Sequence, residues 1–329
     1  MKKSALERWA LLVFILCLFF FWPERKWCET AVTYFGKGTD YLREKKFEAA
    51  IAALTEAINR KPDYTEAYNN RGLAYTETGQ FTQASQDFQN AIRLDPNDEK
   101  ANNNLAIVCF KQGDYDNALL HYWVALSLSG GEEKPYHADT YNDLGVIYAK
   151  KGLIHQAMEA YGNAIRIAEA NKLDYSHAYY NRGNLLYDQK KYDEAIGNYT
   201  VFILYWEGKG DPQQDFPDAY YNRGLCWFNK KDYRAAIADY NKVIQLKPEF
   251  IWAYYSKGYA LYMNGEYDGA ISSYLQSLNL DKNFAHAHLG LALAYQGKGQ
   301  MKECLASLET GCGLGNSTAC NTLKALGGR

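Results

Sequence analysis

Residues 68–96 decide the fold, and they read YNNRGLAYTETGQFTQASQDFQNAIRLDP. Apolar residues recur at helical spacing on both sides of Gly79, which interrupts the helix. Pro96 stops the second helical segment, because proline lacks the amide hydrogen that a helix needs and restricts the residue before it. The stretch therefore predicts two helices joined by a tight turn. We expect the small residues Gly72 and Ala84 to mark the place where the two helices cross closely.

The same pair of small residues, twelve positions apart, recurs eight times along the chain. The first members are Gly38, Gly72, Ala106, Gly145, Gly183, Gly224, Gly258 and Ala292, and the second members are Ala50, Ala84, Ala118, Ala157, Ala195, Ala236, Ala270 and Cys304. Successive first members are 34, 34, 39, 38, 41, 34 and 34 residues apart. A period of this length predicts stacked helix pairs, each of which buries its apolar face on its neighbours. We therefore expect one quasi-linear body rather than the two ordinary domains that 329 residues could form.

The stretch 68–96, like YYNRGLCWFNKKDYRAAIADYNKVIQLKP at 220–248, resembles the tetratricopeptide repeat (TPR). That repeat has an aromatic residue, a Gly and a Tyr on its first helix, then Ala, an aromatic residue and Ala on its second helix, then Pro. The resemblance implies an all-α fold, a right-handed TPR superhelix (α-solenoid) of eight helix–turn–helix repeats with a short C-terminal capping helix. The predicted organisation is an N-terminal membrane segment (1–30), eight repeats (31–311), and a cap and tail (312–329).

Three junctions between repeats are longer than the 34-residue step: 127–139, 168–176 and 205–217. Each insertion lies between the second helix of one repeat and the first helix of the next. Two interpretations stay open. Each insertion is either a longer second helix followed by a surface loop, or a device that changes the superhelical pitch and adds a contact ridge.

The C-terminal cap carries a cysteine pair, Cys312 and Cys320. Ser317 is a candidate N-cap for a short final helix, which would cover the exposed face of the eighth repeat. The spacing of the pair resembles that of the Sel1-like relatives of the TPR, in which such a pair forms a disulfide across one helix pair. A disulfide here would support an oxidising compartment. The alternative is that both cysteines are small buried residues that pack the cap.

The N-terminal residues differ from the repeats. Basic residues precede an apolar run at 9–22, whose fourteen residues would rise about 21 Å as a helix, against about 30 Å of hydrocarbon. Bulky aromatic residues end the run, and no small-residue cleavage site follows, so we favour an uncleaved anchor. A cleaved signal and a soluble hydrophobic helix are the alternatives. The positive-inside rule then predicts that the TPR body lies outside the cytoplasm. We expect a bacterial membrane-tethered protein with a periplasmic or otherwise extracytoplasmic TPR body, or one secreted to the periplasm after cleavage.

No catalytic constellation stands out in the sequence. We find no phosphate-binding loop, no nucleophile elbow, no metalloprotease helix and no zinc-finger spacing. The net charge of -2 offers no electrostatic argument for nucleic acid. We therefore expect no enzyme activity, no cofactor and no metal site.

The expected binding surface is the groove that the first helices of TPR proteins line, where peptides or extended segments are held. The TPR resemblance implies that its partner-binding residues here are Asn69, Asn103, Asn142, Tyr180, Asn181, Asn184, Tyr187, Tyr221, Asn222, Phe228, Trp252, Tyr255, Tyr259 and Tyr262. Asparagine fills one recurring position in repeats two to four, and tyrosine fills it in repeats five to seven. Asparagine amides donate and accept, so a row of them can hold a peptide backbone, whereas Tyr and Trp give large contact area at low rotamer cost. The alternative is that the aromatic residues pack between repeats.

The cations that precede the small residue in several repeats (Arg71, Arg182, Arg223 and Lys257) should face the repeat interface and act structurally.

The predicted function is that of a non-enzymatic scaffold or adaptor. It would bind an extended or helical segment of a partner protein in its concave groove, for assembly or stabilisation of a membrane-associated complex. The alternative function is small-molecule or glycan binding by the aromatic half of the groove. The sequence identifies neither the partner nor the oligomeric state.

Overall fold

The computed structural model describes residues 30–209 and 216–327, which form seventeen helices and no β-strand. The apolar run at 9–22, our predicted anchor, lies outside them. In chain order the helices are α1 (30–43), α2 (Phe47–Arg60), α3 (Thr65–Glu77), α4 (Phe81–Leu94), α5 (Glu99–Gln112), α6 (Tyr115–Leu128), α7 (His137–Lys150), α8 (Ile154–Asn171), α9 (Ser176–Asp188), α10 (Tyr192–Lys209), α11 (Pro217–Asn229), α12 (Tyr233–Leu246), α13 (Ile251–Met263), α14 (Tyr267–Leu280), α15 (Ala285–Gly297), α16 (Met301–Gly313) and α17 (Ser317–Ala325). Over the described ranges, every helix is too short or too polar to cross a bilayer.

The chain divides into two compact units, which we call the N-terminal unit, ending at Lys151, and the C-terminal unit, beginning at Gly152. Helices α1–α7 belong to the first and α8–α17 to the second. Each odd-numbered helix up to α15 is the first, or A, helix of a predicted repeat, and each even-numbered helix up to α16 is the second, or B, helix. The number and order of the helices confirm eight repeats and a capping helix.

Local sequence explains where the helices turn. In α4, Ala84, Phe88 and Ala91 recur at helical spacing and are buried, so the helix has one apolar face. Gly79 follows α3 with a φ of 73°, a left-handed conformation that glycine adopts without steric cost. This turn lets the Gln80 amide donate to the Tyr75 carbonyl at 2.8 Å, which satisfies a carbonyl at the end of the helix.

The small residues of the repeat sit where helices A and B are in closest contact. A Cβ atom added to Gly72 would lie 2.6 Å from a ring carbon of Phe88, sixteen residues downstream. The same relation recurs, at 2.9, 2.7 and 2.9 Å, in the pairs Gly183–Tyr199, Gly224–Tyr240 and Gly258–Tyr274. The predicted close crossing is therefore confirmed, and its cause is a buried aromatic ring of helix B lying directly over the glycine.

The lengthened junctions differ in how they use their extra residues. Helices α8 and α10 are each 18 residues long, against 14 for α6, so a longer second helix takes up much of the second and third insertions. At the first junction the extra residues follow α6 and lead into α7. That connection contributes the side chain of Tyr136 to a pocket described below.

The C-terminal cap forms as predicted, with one correction. Helix α17 packs Ala319 and Leu323 against Leu308 of α16, within a buried cluster that closes the last repeat. Its N-cap is Asn316 and not Ser317, because the Asn316 side chain accepts the Ala319 amide at 2.9 Å and Ser317 is already the first helical residue.

Cys312 and Cys320 form a disulfide with their Cα atoms 4.6 Å apart, which is an ordinary separation for such a bond. It links α16 to α17. The Sel1-like interpretation of the pair is therefore supported over that of two unbonded packing residues.

Candidate functional site

A pocket of about 440 Å³ opens on the A-helix face of the N-terminal unit, and we call it the amide pocket. It is lined by Asn69, Asn70 and Leu73 of α3, by Lys100, Asn103, Asn104 and Ile107 of α5, by Tyr136 just before α7, and by Asp139 in its first turn. Two asparagines that the sequence predicted for the binding groove, Asn69 and Asn103, thus line one cavity together with the amides next to them. The third amide of the predicted row, Asn142, does not line this cavity, and a binding role for the row stays a prediction.

The amides of this pocket each use part of their hydrogen-bonding capacity within the protein. Asn104 Nδ2 donates to Asn69 Oδ1 at 2.9 Å, and Asn70 Nδ2 donates to Thr39 Oγ1 at 3.1 Å. Among the described residues, no partner engages Asn69 Nδ2, Asn104 Oδ1 or Asn70 Oδ1. Since the remaining atoms include a donor and two acceptors, the row can both donate to a ligand and accept from it.

Asn103 lies deeper than the exposed groove position that we predicted. It is only 8% exposed, because Thr140 of α7 packs over it and donates to its Oδ1 at 2.7 Å. Asn103 therefore forms the floor of the amide pocket.

One wall of the pocket comes from the first lengthened junction, where three side chains converge on Glu99. Lys134 and Tyr136 donate to its carboxylate, and His137 Nε2 lies 2.9 Å from Oε1. Burial alone would raise the pKa of Glu99, but the hydrogen bonds from Lys134, Tyr136 and His137 outweigh it and lower that pKa. The Lys134 amide also donates to His137 Nδ1 at 3.2 Å, so the Nε2 atom carries the proton shared with Glu99. This cluster fixes the position of Tyr136 in the wall, so this junction is more than a surface loop. Sequence reasoning missed it, because Glu99 and His137 are far apart in the chain.

In the fourth repeat, the predicted residue Asn142 is half-buried beside a carboxylate that the sequence analysis did not single out. Asp143 accepts a hydrogen bond from the buried Tyr122 hydroxyl at 2.6 Å. Burial raises the pKa of Asp143 to about 6, and the negative charge of Asp139 adds to the effect. The sequence contains a signal that could have identified Asp143. A carboxylate stands there at the position that holds Asn70, Asn104, Asn181 and Asn222 in other repeats.

The arginines that precede the small residues act within the structure, as predicted. Arg71 makes two hydrogen bonds of 2.7 Å to the buried Asp87. Arg223 makes the same fork to Asp239, at 2.9 and 2.7 Å. In these bidentate ion pairs, the guanidinium groups of Arg71 and Arg223 bind buried carboxylates inside the protein. Both arginines are therefore structural residues.

In the C-terminal unit, aromatic side chains cover the groove face of α13. Trp252 is 44% exposed and Tyr259 is 38% exposed, whereas Tyr255 and Tyr262 are half-buried. The rings of Tyr255 and Tyr259 lie 6.5 Å apart at an interplanar angle of 18°, and those of Tyr259 and Tyr262 lie 6.5 Å apart at 11°. We call these three tyrosines the tyrosine ladder. The ring centroid of Phe228 in α11 lies 5.0 Å from that of Tyr259. Two predicted residues from neighbouring A helices are therefore in contact there.

The predicted residues of the fifth and sixth repeats are half-buried and connect adjacent A helices. Asn222 Nδ2 donates at 3.2 Å both to the Tyr180 hydroxyl and to Asn184 Oδ1. The Tyr221 hydroxyl lies 3.0 Å from Ser256 Oγ. These groups pack between repeats, as the alternative interpretation anticipated, and a binding role for them stays a prediction. The same holds for the half-buried Tyr187 and Asn181.

Family models of the tetratricopeptide repeat match most of this chain. Models described as tetratricopeptide repeat match residues 97–170, 142–208 and 217–250, and one described as TPR repeat matches 38–79, 72–113 and 258–299. The chain belongs to the tetratricopeptide repeat family. This fold is typically a non-enzymatic scaffold that binds other proteins or peptides. Among the described residues, no group of three or more His, Cys, Asp or Glu side chains is placed to hold a metal ion.

Solved structures show the same fold. The chain is similar to the MamA protein, with 25% identity over 56% of this chain and 96% of that one and a TM-score of 0.50. It is also similar to a tetratricopeptide repeat protein from Parabacteroides merdae, with 18% identity over 81% of this chain and 99% of that one and a TM-score of 0.52. No curated protein sequence matches the chain.

Proposed function

We propose that this protein is a non-enzymatic scaffold that binds an extended or helical segment of a partner protein along its A-helix face. Its task would be to assemble or stabilise a membrane-associated complex. The observation that carries the proposal is the amide pocket, where free amide atoms and apolar side chains from two successive A helices line one cavity.

The chemistry of the pocket suits a polypeptide backbone. A backbone presents amide donors and carbonyl acceptors in alternation, and the unused atoms of Asn69, Asn70 and Asn104 complement both kinds. Leu73 and Ile107 add apolar surface beside them. A volume of about 440 Å³ falls within the range of ordinary ligand sites.

The membrane and compartment parts of the proposal rest on the sequence and the cap. The apolar run at 9–22 would tether the repeats to a bacterial membrane, with the repeats on the extracytoplasmic side. The disulfide between Cys312 and Cys320 fits an oxidising compartment such as the periplasm.

Site-specific photo-crosslinking tests the proposal. A photoreactive residue in place of Ile107, in the pocket, should capture a defined segment of one partner in intact membranes. The same residue in place of Gln86, which is exposed on α4, is the control and should not capture it. Identical products from both positions, or none from Ile107, would refute binding at the amide pocket.

Side-chain removal gives a second test of the same pocket. Asn104→Ala deletes an unused acceptor and the hydrogen bond to Asn69. We expect it to weaken capture of the partner segment by about tenfold, because a lost hydrogen bond costs about 1–1.5 kcal/mol. Asn90→Ala, on α4 and outside the pocket, is the matched control and should leave capture unchanged. Equal loss in both variants would mean that the amide row does not hold the segment.

A second candidate function is small-molecule or glycan binding on the aromatic face of α13. The exposure of Trp252 and Tyr259 favours it, since aromatic faces on a surface can stack against a ring. A thermal-shift screen with neutral oligosaccharides would support this candidate if a stabilising ligand lost its effect in Trp252→Ala.

A further inference from the structure

The arginine that precedes the small residue has the same two kinds of partner in repeats two and six. One is the buried aspartate of the forks described above, which lies on helix B of the same repeat. The other is a threonine on helix B of the preceding repeat. Arg71 Nη1 donates to Thr55 Oγ1 at 3.0 Å, and Arg223 Nη1 donates to Thr200 Oγ1 at 3.1 Å. All three nitrogens of each guanidinium group therefore have an oxygen partner.

In repeat five, both partners of the equivalent Arg182 are replaced. Asn198 stands at the aspartate position, and its Oδ1 accepts from Arg182 Nε at 2.7 Å. Its Nδ2 donates to the Glu194 carbonyl at 2.7 Å, so Asn198 offers no second oxygen. Gly162 stands at the threonine position, because it is the ninth residue of α8 as the threonines are of α2 and α10. A Cβ atom added to Gly162 would meet no atom within 4 Å.

The charge of Arg182 is therefore less well compensated than the charge of the other two arginines. Burial lowers the pKa of all three guanidinium groups, but at Arg71 and Arg223 the paired aspartate outweighs burial and raises the pKa. At Arg182 burial prevails and the pKa is lowered, although Glu169 and Glu194 favour the charged form from a distance. Over residues 30–209 and 216–327, no carboxylate lies within 4 Å of the Arg182 nitrogens.

Tyr179 fixes the guanidinium group from one side. Its ring centroid lies 5.0 Å from Arg182 Cζ, and its hydroxyl donates to Glu169 Oε1 at 3.2 Å. Arg182 and Gly162 are both partly exposed, so a small ion can reach the side where the threonine hydroxyl lies in repeats two and six.

We propose that Arg182 binds an oxyanion, a carboxylate or a phosphate group, through Nη1 and Nη2 beside Gly162. These two nitrogens form one edge of the planar guanidinium group, and such an edge holds two oxygens in charge-assisted hydrogen bonds. The anion would supply the oxygens that aspartate and threonine supply in repeats two and six. The site is defined by partners on B helices, so the inference does not depend on the proposed function.

Thermal melts of the full-length chain at constant ionic strength test the site. Asn198→Asp restores the second carboxylate oxygen, so in sodium chloride we expect it to melt at a higher temperature than the wild type. Sodium phosphate or sodium acetate should stabilise the wild type more than the variant and close at least half of that gap, because the anion binds only the folded wild type. Asn279→Asp, exposed on α14, is the charge-matched control and should respond to both anions as the wild type does.

A second variant replaces the other missing partner and serves where Asn198→Asp folds poorly. Gly162→Thr adds a hydroxyl at the position of Thr55 and Thr200, and it should reduce the response to both anions by at least half. Gly36→Thr on α1 is the matched control, because a Cβ atom there also meets no atom within 4 Å. It should respond to the anions as the wild type does.

The two anions identify the ligand group, since a larger response to acetate assigns a carboxylate and a larger response to phosphate assigns a phosphate. Three results would overturn the inference: equal melting of the wild type and Asn198→Asp in chloride, a gap that neither anion narrows, or an equal loss of response in Gly36→Thr and Gly162→Thr. The scaffold function is judged separately by crosslinking from Ile107, and none of these three results bears on it.

Discussion

The carboxylate of Asp143 should lower the free energy of unfolding above about pH 6. An isosteric substitution by asparagine should remove this effect. Its carboxylate lies on α7, half-buried, with the Tyr122 hydroxyl donating to it at 2.6 Å. Burial raises its pKa from 3.8 to about 6. In four other repeats the same position holds asparagine, whose side-chain oxygen can also accept a tyrosine hydroxyl, as Asn184 does from Tyr199 at 2.7 Å. Asp143→Asn therefore keeps the shape and the acceptor and removes the charge.

The magnitude follows from the difference between the folded and unfolded pKa of Asp143. A difference of about two units corresponds to about 3 kcal/mol, at 1.36 kcal/mol per unit. Because the folded pKa is raised, this contribution is fully present below pH ~4 and is lost as the pH rises through about 6. At pH 8 the wild-type chain has therefore lost the contribution and buries an ionised carboxylate. We expect Asp143→Asn to be about 2–3 kcal/mol more stable at pH 8 and nearly equal to the wild type below pH 4.

Urea denaturation of both proteins from pH 3.5 to pH 8 measures this difference. The curve of the stability gain against pH should rise between pH 4 and 6 and then level off. Asp63→Asn, at an exposed position before α3, is the control and should change stability by less than about 0.5 kcal/mol at any pH. A gain that does not depend on pH, or no gain at pH 8, would refute the assignment of a buried charge to Asp143.

Three further outcomes are expected. Gly72→Ala should destabilise the protein by about 1–3 kcal/mol in thermal melts, because the added Cβ would lie 2.6 Å from a buried ring. Gly197→Ala, whose added Cβ has no atom within 4 Å, should instead stabilise the protein through α10 by about 0.5–1 kcal/mol. Replacing both Cys312 and Cys320 by serine removes the disulfide, which should contribute about 2–3 kcal/mol to the free energy of unfolding. Amide hydrogen exchange should then accelerate in α17 but not in α3. Glu99→Gln should cost about 1–3 kcal/mol at pH 7. Because the pKa of Glu99 is lowered in the folded protein, that loss should fade as the pH falls through the folded pKa, and a pH-independent loss would contradict it.

The elements that the sequence predicted well share a local cause. Each helix boundary depends on nearby residues, such as the turn glycine at 79, and the close crossing at Gly72 repeats in register along the chain. The structural role of Arg71 was also predictable, because its position relative to the small residue is constant. The error at the cap was one residue, since Asn316 and Ser317 are both good N-cap residues and only the backbone decides which one reaches the amide.

The features of the candidate site likewise fall into those that the sequence predicted and those that depend on the tertiary structure. The sequence by itself determined the repeat, the helix pairs, and which rows are amide or aromatic, because these depend on residue type at a fixed period. Only the tertiary structure decided that Glu99 and His137, thirty-eight positions apart, meet in a pocket wall, that Asn103 forms the floor, and that three tyrosines stand at equal steps of 6.5 Å. Such properties arise from side chains brought together by neighbouring helices or set by their rotamers, which a periodic pattern in the chain does not specify.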